Sequence, residues 1–335
     1  MTPLILGLAG TTLSADERAF FADVDPAGYI LFKRNVETAE QLRALTDALR
    51  DVAGRADVPI LIDQEGGRVA RMQPPIWPAF PTAELFDRLY DVAPASAIEA
   101  TRANAQAIAT MLFEAGVNVN CLPLLDVRQP DAHDIIGDRA LGAEPLRVAA
   151  LGRAVLEGMQ AAGVVGVVKH IPGHGRAMAD SHVELPVVTA NEADLEKDLA
   201  PFIALNGAPM GMTAHVVYTA WDADECASLS PRVIGDIIRG RIGFDNLLMS
   251  DDLGMHALSG DFGERAAGVL RAGCDIALHC SGDMTEMQAV AGAVGPIGGE
   301  AKARLDRAMA TVAGRAPGID FAELVAKRDA LLGYA

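Results

Sequence analysis

Cysteine is scarce in this sequence. Its four cysteines are Cys121, Cys226, Cys274 and Cys280, and they show neither a CxxC pair nor a zinc-ribbon spacing. The pattern therefore predicts no disulfide framework and no structural zinc site, and we expect reduced, mostly buried thiols.

No apolar run approaches the length of a membrane span. The first ten residues, MTPLILGLAG, lack the positive segment and the full apolar core of a secretory signal. We therefore expect a cytoplasmic protein that does not act at a membrane.

Basic residues are also few, because 28 Lys and Arg stand against 45 Asp and Glu, for a formal net charge of −17. Phosphate binding needs a basic surface, and no stretch of this chain gathers Lys and Arg, so nucleic acid is disfavoured as a partner. Solubility is the simplest explanation of the acidic balance.

Length and apolar content are ample, since half of the 335 residues are hydrophobic. A chain of this size buries roughly three quarters of the surface that its unfolded form exposes, so its stability requires no metal or disulfide. Its length allows either two domains or one large α/β barrel.

Eight short apolar runs alternate with segments of helical spacing. The runs start at Pro3, Gly28, Pro59, Val117, Val164, Met210, Asn246 and Cys274. The clearest helical segments between them are 37–53, 97–115, 144–162 and 191–206. This alternation predicts an α/β fold, a single (β/α)8 TIM-type barrel over residues 1–335 with outer helices from about residue 283. A doubly wound open sheet is the alternative, but no GxGxxG follows the first strand.

Polar residues appear where the apolar runs end. They are Asp63, Glu65, Asp126, Lys169, His170, His215, Asp251, Asp252 and Ser281. Because the carboxyl ends of barrel strands meet at one face, where active sites of this fold are built, we expect these side chains to converge on one pocket.

The third run ends in DQEGGRVAR, residues 63–71. Paired glycines allow a tight turn that passes close to a ligand, and Asp63, Arg68 and Arg71 offer one acceptor and two donors to hydroxyl groups. The alternative is a structural loop with an internal Asp–Arg pair.

The fifth run continues into KHIPGHGRAMADSH, residues 169–182. His170 and His174 have the spacing of a helical metal pair, but the intervening Pro and Gly oppose a helix, so no metal site is predicted. Asp180 and His182 are two residues apart, and a carboxylate beside an imidazole makes the ring a general acid or base near neutral pH.

The seventh run ends in MSDDLGM, residues 249–255. Asp251 is placed to project from a strand tip, as a carboxylate nucleophile must. For Asp252 we expect a helix N-cap. Whether His215 and the segment IIGDRALG, which contains Asp138 and Arg139, line the pocket or only pack is left open.

Six segments resemble glycoside hydrolase family 3, most closely its single-domain bacterial β-N-acetylglucosaminidases of cell-wall recycling. They are ILFKRN (30–35), DQEGGRVAR, IGDRALG (136–142), KHIPGHG followed by ADSH, MTAHVVY (212–218) and SDDLGM (250–255). All six occur in the family's order, across most of the chain.

The resemblance implies roles for residues that match the motifs. Asp251 would be the nucleophile, and His182 the general acid and base with Asp180 as its partner. The sugar would be bound by Asp63, Arg71, Arg139, Lys169 and His170. Arg68, His174 and His215 would support the pocket.

The resemblance implies a retaining exo-β-N-acetylglucosaminidase that needs no cofactor and acts on a saccharide or muropeptide. Two alternatives remain open: a phosphorylase that uses the same residues, because a histidine repels an incoming phosphate less than a carboxylate would, and a sugar-binding barrel without activity.

Overall fold

The computed structural model describes residues 1–130, 134–181 and 184–334. Eight parallel strands form a closed barrel, and each is hydrogen-bonded to its neighbours in chain order. The strands are β1 (Thr2–Leu6), β2 (Pro26–Leu31), β3 (Ile60–Ile62), β4 (Val119–Asn120), β5 (Val165–Ile171), β6 (Met210–Thr213), β7 (Leu247–Asp252) and β8 (Ile276–His279). The barrel closes between β1 and β8, where Leu4 lies opposite Ala277. The predicted barrel is thus confirmed, and each predicted run overlaps one barrel strand.

Helices surround the barrel. The α-helices are α1 (Ala15–Val24), α2 (Ala39–Ala53), α3 (Ala83–Val92), α4 (Pro94–Glu114), α5 (Pro145–Ala161), α6 (Glu192–Ala204), α7 (Phe262–Ala272), α8 (Met284–Gly292), α9 (Gly299–Ala310) and α10 (Phe321–Leu332), and a π-helix, Val233–Arg241, lies between β6 and β7. The four predicted helical segments coincide with α2, α4, α5 and α6. Within the described ranges, no helix has both the length and the apolarity that a membrane span requires.

Side-chain alternation along the strands separates two apolar cores. On β1, Ile5 belongs to the core inside the barrel, together with Ile30 of β2 and Val167 of β5. Leu4 and Leu6 belong instead to the core between the barrel and its helices. Strands buried on both faces explain why each run reads as almost continuously apolar.

Helix α9 covers the N-terminal end of the barrel. Its residues Leu305 and Met309 join the core inside the barrel. Arg304 places a guanidinium nitrogen 2.9 Å from Asp275, the residue just before β8. Among the described residues, the barrel is therefore filled from this end, which leaves the opposite, C-terminal face for a ligand.

A short antiparallel hairpin, Gln64–Gly66 paired with Val69–Ala70, follows β3 directly. Gly66 and Gly67 have φ angles of 104° and 55°, which L residues rarely adopt. The predicted tight turn is confirmed. The close approach, however, is to the protein itself, because a Cβ on Gly66 would lie 2.4 Å from the backbone oxygen of Pro81.

Candidate active site

A cavity of about 240 Å³ opens at the C-terminal ends of the strands. Seven of the residues to which the resemblance gives a role line it: Asp63, Arg71, Arg139, Lys169, His170, His174 and Asp251. Apolar side chains, among them Ile30, Phe32 and Met212, complete the wall. Pockets for drug-sized ligands usually measure about 300 to 1,000 Å³, so this cavity suits a smaller ligand, of the size of one sugar ring.

Lys169 is the centre of a buried charged cluster. Its Nζ lies 3.0 Å from Asp63 Oδ1 and 2.7 Å from Glu65 Oε1. Burial alone would raise the pKa of both carboxyl groups, but Lys169 acts together with Arg71 at Asp63 and with Arg139 at Glu65, and these cations hold both pKa values below their usual range. Burial would likewise lower the pKa of Lys169, and the two carboxylates raise it instead. All three groups are therefore ionised at neutral pH.

Two arginines extend this cluster. Arg139 makes a bidentate contact with Glu65, with both nitrogen–oxygen distances at 2.8 Å. Arg71 lies 3.0 Å from Asp63 and stacks over the ring of Phe32 at 5.0 Å. The internal Asp–Arg pair considered as an alternative is thus present, and both of its members also line the cavity.

The side chain of Gln64 holds the hairpin in place, a role that the sequence did not reveal. Its Oε1 accepts hydrogen bonds from the backbone nitrogens of Arg71 and Met72, and its Nε2 donates to the Met72 oxygen. Asn120 at the end of β4 bonds both backbone groups of Gln64. Because Gln64 lies between Asp63 and Glu65, these bonds position both carboxylates.

Arg68 does not line the cavity. Its Nε lies 3.1 Å from Asp138, and its guanidinium donates to the backbone oxygens of Ile135 and Ile136. It therefore ties the hairpin to the segment that contains Arg139.

His170 and His174 are both held by Asp126, which is fully buried. Oδ2 of Asp126 lies 2.8 Å from His170 Nδ1, and Oδ1 accepts from the backbone nitrogens of His170 and His174. Burial alone would raise the pKa of Asp126, but the two histidines lower it to about 2. Burial lowers the pKa of His174 to about 4, so this ring is neutral at pH 7. In the described parts of the chain, no group of three or more His, Cys, Asp or Glu could hold a metal ion.

Asp251 and Asp252 are the last two residues of β7. Asp251 lines the cavity, and its Oδ1 accepts a 2.8 Å hydrogen bond from the backbone nitrogen of Asp252. The prediction of a helix N-cap at Asp252 is wrong, because β7 continues through this residue. Its carboxylate accepts from the backbone nitrogens of Gly254 and Cys280, and the next helix, α7, is capped by Asp261.

His215 is buried behind the tip of β7 and does not line the cavity. Its Nε2 lies 3.0 Å from the backbone oxygen of Asp252, and its Nδ1 lies 2.8 Å from Ser228 Oγ. Burial lowers its pKa, which favours the neutral ring. Because a carbonyl oxygen only accepts, the proton is on Nε2 and Nδ1 is an acceptor, which shares the hydroxyl proton of Ser228 with the backbone oxygen of Ala214, 3.0 Å from Ser228 Oγ. Thr213 Oγ1, 2.6 Å from Ser228 Oγ, can then donate to Ser228.

The predicted acid/base pair is described only in part. Asp180 precedes Ser181, which lines the cavity and whose Oγ lies 3.3 Å from His174 Nε2. His182 lies outside the described residues, so the Asp180–His182 pair stays a prediction.

Comparison with known proteins gives three consistent matches. Residues 6–314 match the glycosyl hydrolase family 3 N-terminal domain. A beta-hexosaminidase from Alkalilimnicola ehrlichii is 40% identical over 284 residues, which cover 83% of this chain and 80% of that protein. NagZ from Neisseria gonorrhoeae, solved in complex with N-trifluoroacetyl-D-glucosamine, has a TM-score of 0.87 and 29% identity over 100% of this chain and 98% of that chain.

A third protein is similar to this chain over part of its own length. The family 3 beta-N-acetylglucosaminidase from Paenibacillus has a TM-score of 0.80 and 31% identity, and the alignment covers 98% of this chain but 61% of that chain.

Proposed function

The chain belongs to glycoside hydrolase family 3, and we propose that it is a retaining exo-β-N-acetylglucosaminidase that releases terminal, non-reducing β-linked N-acetylglucosamine from peptidoglycan fragments. The observation that carries the proposal is the position of Asp251 in the wall of a small cavity, beside the ionised cluster of Asp63, Glu65 and Lys169. A carboxylate at a strand tip supplies a nucleophile, and fixed charges supply partners for the hydroxyl groups of one sugar.

The reaction would proceed in two displacements at the anomeric carbon. A carboxylate oxygen of Asp251 attacks this carbon as the bond to the leaving oxygen breaks, and His182, oriented by Asp180, gives that oxygen its proton. Water then attacks the anomeric carbon, His182 takes a proton from it, and the bond to Asp251 breaks. Two inversions retain the configuration of the sugar.

The shape of the cavity supports action at a chain end. The filled barrel interior lies below it, and its volume of about 240 Å³ leaves room for little more than one ring. Asp63, Arg71, Arg139, Lys169 and His170 would hold the hydroxyl and acetamido groups of that ring, while the rest of the substrate extends to the solvent.

The proposed sugar is supported by the relatives. They carry the names beta-hexosaminidase and beta-N-acetylglucosaminidase, and one was solved with an N-acylated glucosamine. The peptidoglycan origin of the substrate and a cytoplasmic site of action belong to the same proposal, which follows the subgroup that the motifs resemble.

The first test is the product formed from 4-nitrophenyl N-acetyl-β-glucosaminide, in buffers with and without phosphate, with the glucoside and xyloside as comparisons. We expect free N-acetylglucosamine in both buffers and little action on the other sugars. Sugar 1-phosphate as the main product would indicate a phosphorylase, and binding of the sugar without any release would indicate a sugar-binding barrel.

Two further measurements test the finer parts of the proposal. Proton NMR during turnover should show the β-anomer first, since retention requires it, and initial α-anomer would exclude the double displacement. Digested peptidoglycan should release N-acetylglucosamine only from chain ends, and release of internal disaccharides would contradict exo action.

A further inference from the structure

Asp126 has no role in the proposed reaction, yet three hydrogen bonds converge on it. Its carboxylate is fully buried and accepts from His170 Nδ1 at 2.8 Å and from the backbone nitrogens of His170 and His174 at 3.2 and 2.6 Å. It lies outside the wall of the cavity, whereas His170 lines it. His174 lines the cavity as well, so Asp126 can act on the substrate through either histidine, and its contact with a ring is the one to His170 Nδ1.

The chemistry of these contacts assigns the proton of the imidazole. An ionised carboxylate is only an acceptor, and the pKa of about 2 keeps Asp126 ionised throughout the neutral range. Nδ1 of His170 must therefore carry a proton. In the neutral ring this leaves a lone pair on Nε2, the nitrogen on the side of the ring away from Asp126.

We propose that Asp126 is a positioning residue that holds the neutral His170 ring as its Nδ1–H tautomer, so that Nε2 accepts a hydrogen bond from one hydroxyl group of the bound sugar. This inference rests on the proposed function for the identity of the ligand. An acceptor at His170 would complement Lys169 and Arg139, which line the same cavity and can only donate hydrogen bonds.

The Asp126→Asn variant separates this role from a merely structural one. The amide oxygen can still accept from the backbone nitrogens of His170 and His174. The amide nitrogen then faces His170 Nδ1 and donates to it, and the reverse orientation of the amide would set its NH2 group against two N–H donors. The ring must therefore carry its proton on Nε2, so a hydrogen-bond acceptor toward the sugar becomes a donor.

The first measurement is the tautomer itself, by nitrogen-15 NMR of histidine-labelled protein at a pH where the ring is neutral. The signals are assigned by their loss in His170→Gln. We expect the wild type to carry the proton on Nδ1 and Asp126→Asn on Nε2. The same tautomer in both proteins would overturn the proposal.

The second measurement pairs the variant with monodeoxy analogues of the 4-nitrophenyl substrate. In the wild type, one deoxy position should lower kcat/KM about tenfold or more, since it removes the partner of Nε2. In Asp126→Asn, kcat/KM for the same analogue should be less than about threefold below kcat/KM for the substrate that keeps all its hydroxyl groups. Equal losses at every position in both proteins would contradict the contact between His170 and a hydroxyl.

Asp87→Asn is the matched control, because Asp87 is also a buried carboxylate but pairs with Arg128 and Arg147 outside the cavity. In Asp87→Asn, the loss of kcat/KM for each monodeoxy analogue should be the same as in the wild type. A different set of losses would mean that removing any buried charge has this effect. If the wild type cleaves none of the glycosides, the proposed function fails, and the tautomer measurement still decides the role of Asp126.

Discussion

Nε2 of His215 lies 3.0 Å from the backbone oxygen of Asp252, the residue that follows the proposed nucleophile. Through this bond a histidine outside the cavity holds the tip of β7. The other ring nitrogen is held by Ser228, whose hydroxyl lies 2.8 Å from Nδ1.

Ser228 does not line the cavity, so Ser228→Ala should weaken catalysis without removing a contact to the substrate. The change removes the hydroxyl that holds Nδ1, so the ring is less firmly oriented toward the backbone oxygen of Asp252. We expect kcat to fall about tenfold and KM to stay within about twofold, because a displaced nucleophile affects the transition state more than binding. Steady-state kinetics measures both constants.

Ser230→Ala is the control for this variant. Ser230 is equally buried, but its hydroxyl bonds Asp222 and the backbone of Val233. A similar fall in kcat in both variants would mean that the segment as a whole, and not the bond to His215, is responsible.

The role of Asp251 can be tested by replacing the lost carboxylate chemically. Asp251→Ala should lower kcat by about a thousandfold or more, since the nucleophile is gone. Added azide should then restore release of nitrophenol by attacking the anomeric carbon from the vacated side, which gives the α-glycosyl azide. Asp261→Asn, at an exposed helix cap, should keep full activity. A β-glycosyl azide, or substantial residual activity without azide, would contradict the assignment.

Glu65 stabilises the charged cluster, because it contacts both Lys169 and Arg139. Glu65→Gln leaves two buried cations with one carboxylate fewer, so we expect the free energy of unfolding to fall by about 3 kcal/mol and kcat/KM by about a hundredfold. Urea unfolding and kinetics measure the two effects. Glu84→Gln breaks a half-exposed pair with Arg128, for which about 0–1 kcal/mol is expected. Equal effects of the two changes would contradict the expectation that the buried pairs of Glu65 contribute more than the half-exposed pair of Glu84.

His174 should make the protein less stable in mild acid. Burial lowers its pKa to about 4, from an ordinary value of 6.5. Between these values the unfolded chain binds a proton that the folded protein does not, so stability falls as the pH falls from 6.5 to 4. The contribution is at most about 3 kcal/mol.

His174→Gln should reduce this loss of stability, measured by urea unfolding at about pH 7 and about pH 4.5. The exposed His256, changed to Gln, provides the comparison. An unchanged pH dependence in His174→Gln would show that the acid sensitivity arises elsewhere.

The barrel could be predicted from local patterns in the sequence. Each barrel strand is buried on both faces, so its apolar run is visible without knowing its neighbours, and the glycines of the hairpin mark a turn that only they can make at low cost. The convergence of Asp63, Lys169 and Asp251 also followed, because in a parallel barrel every strand ends at the same face.

Partnerships between distant residues were decided only by the tertiary structure. Nothing near Asp252 in the sequence shows that β7 runs through it, or that its carboxylate bonds the backbone of Cys280. The sequence does not show that Glu65 contacts both Lys169 and Arg139. Nor does it show that Asp126, which follows β4, contacts His170 on the neighbouring β5. The sequence by itself determined the barrel and the face that holds the site, since both depend on periodicity. Which carboxylate pairs with which cation or ring depends on contacts between strands far apart in the chain, and only the folded barrel creates them.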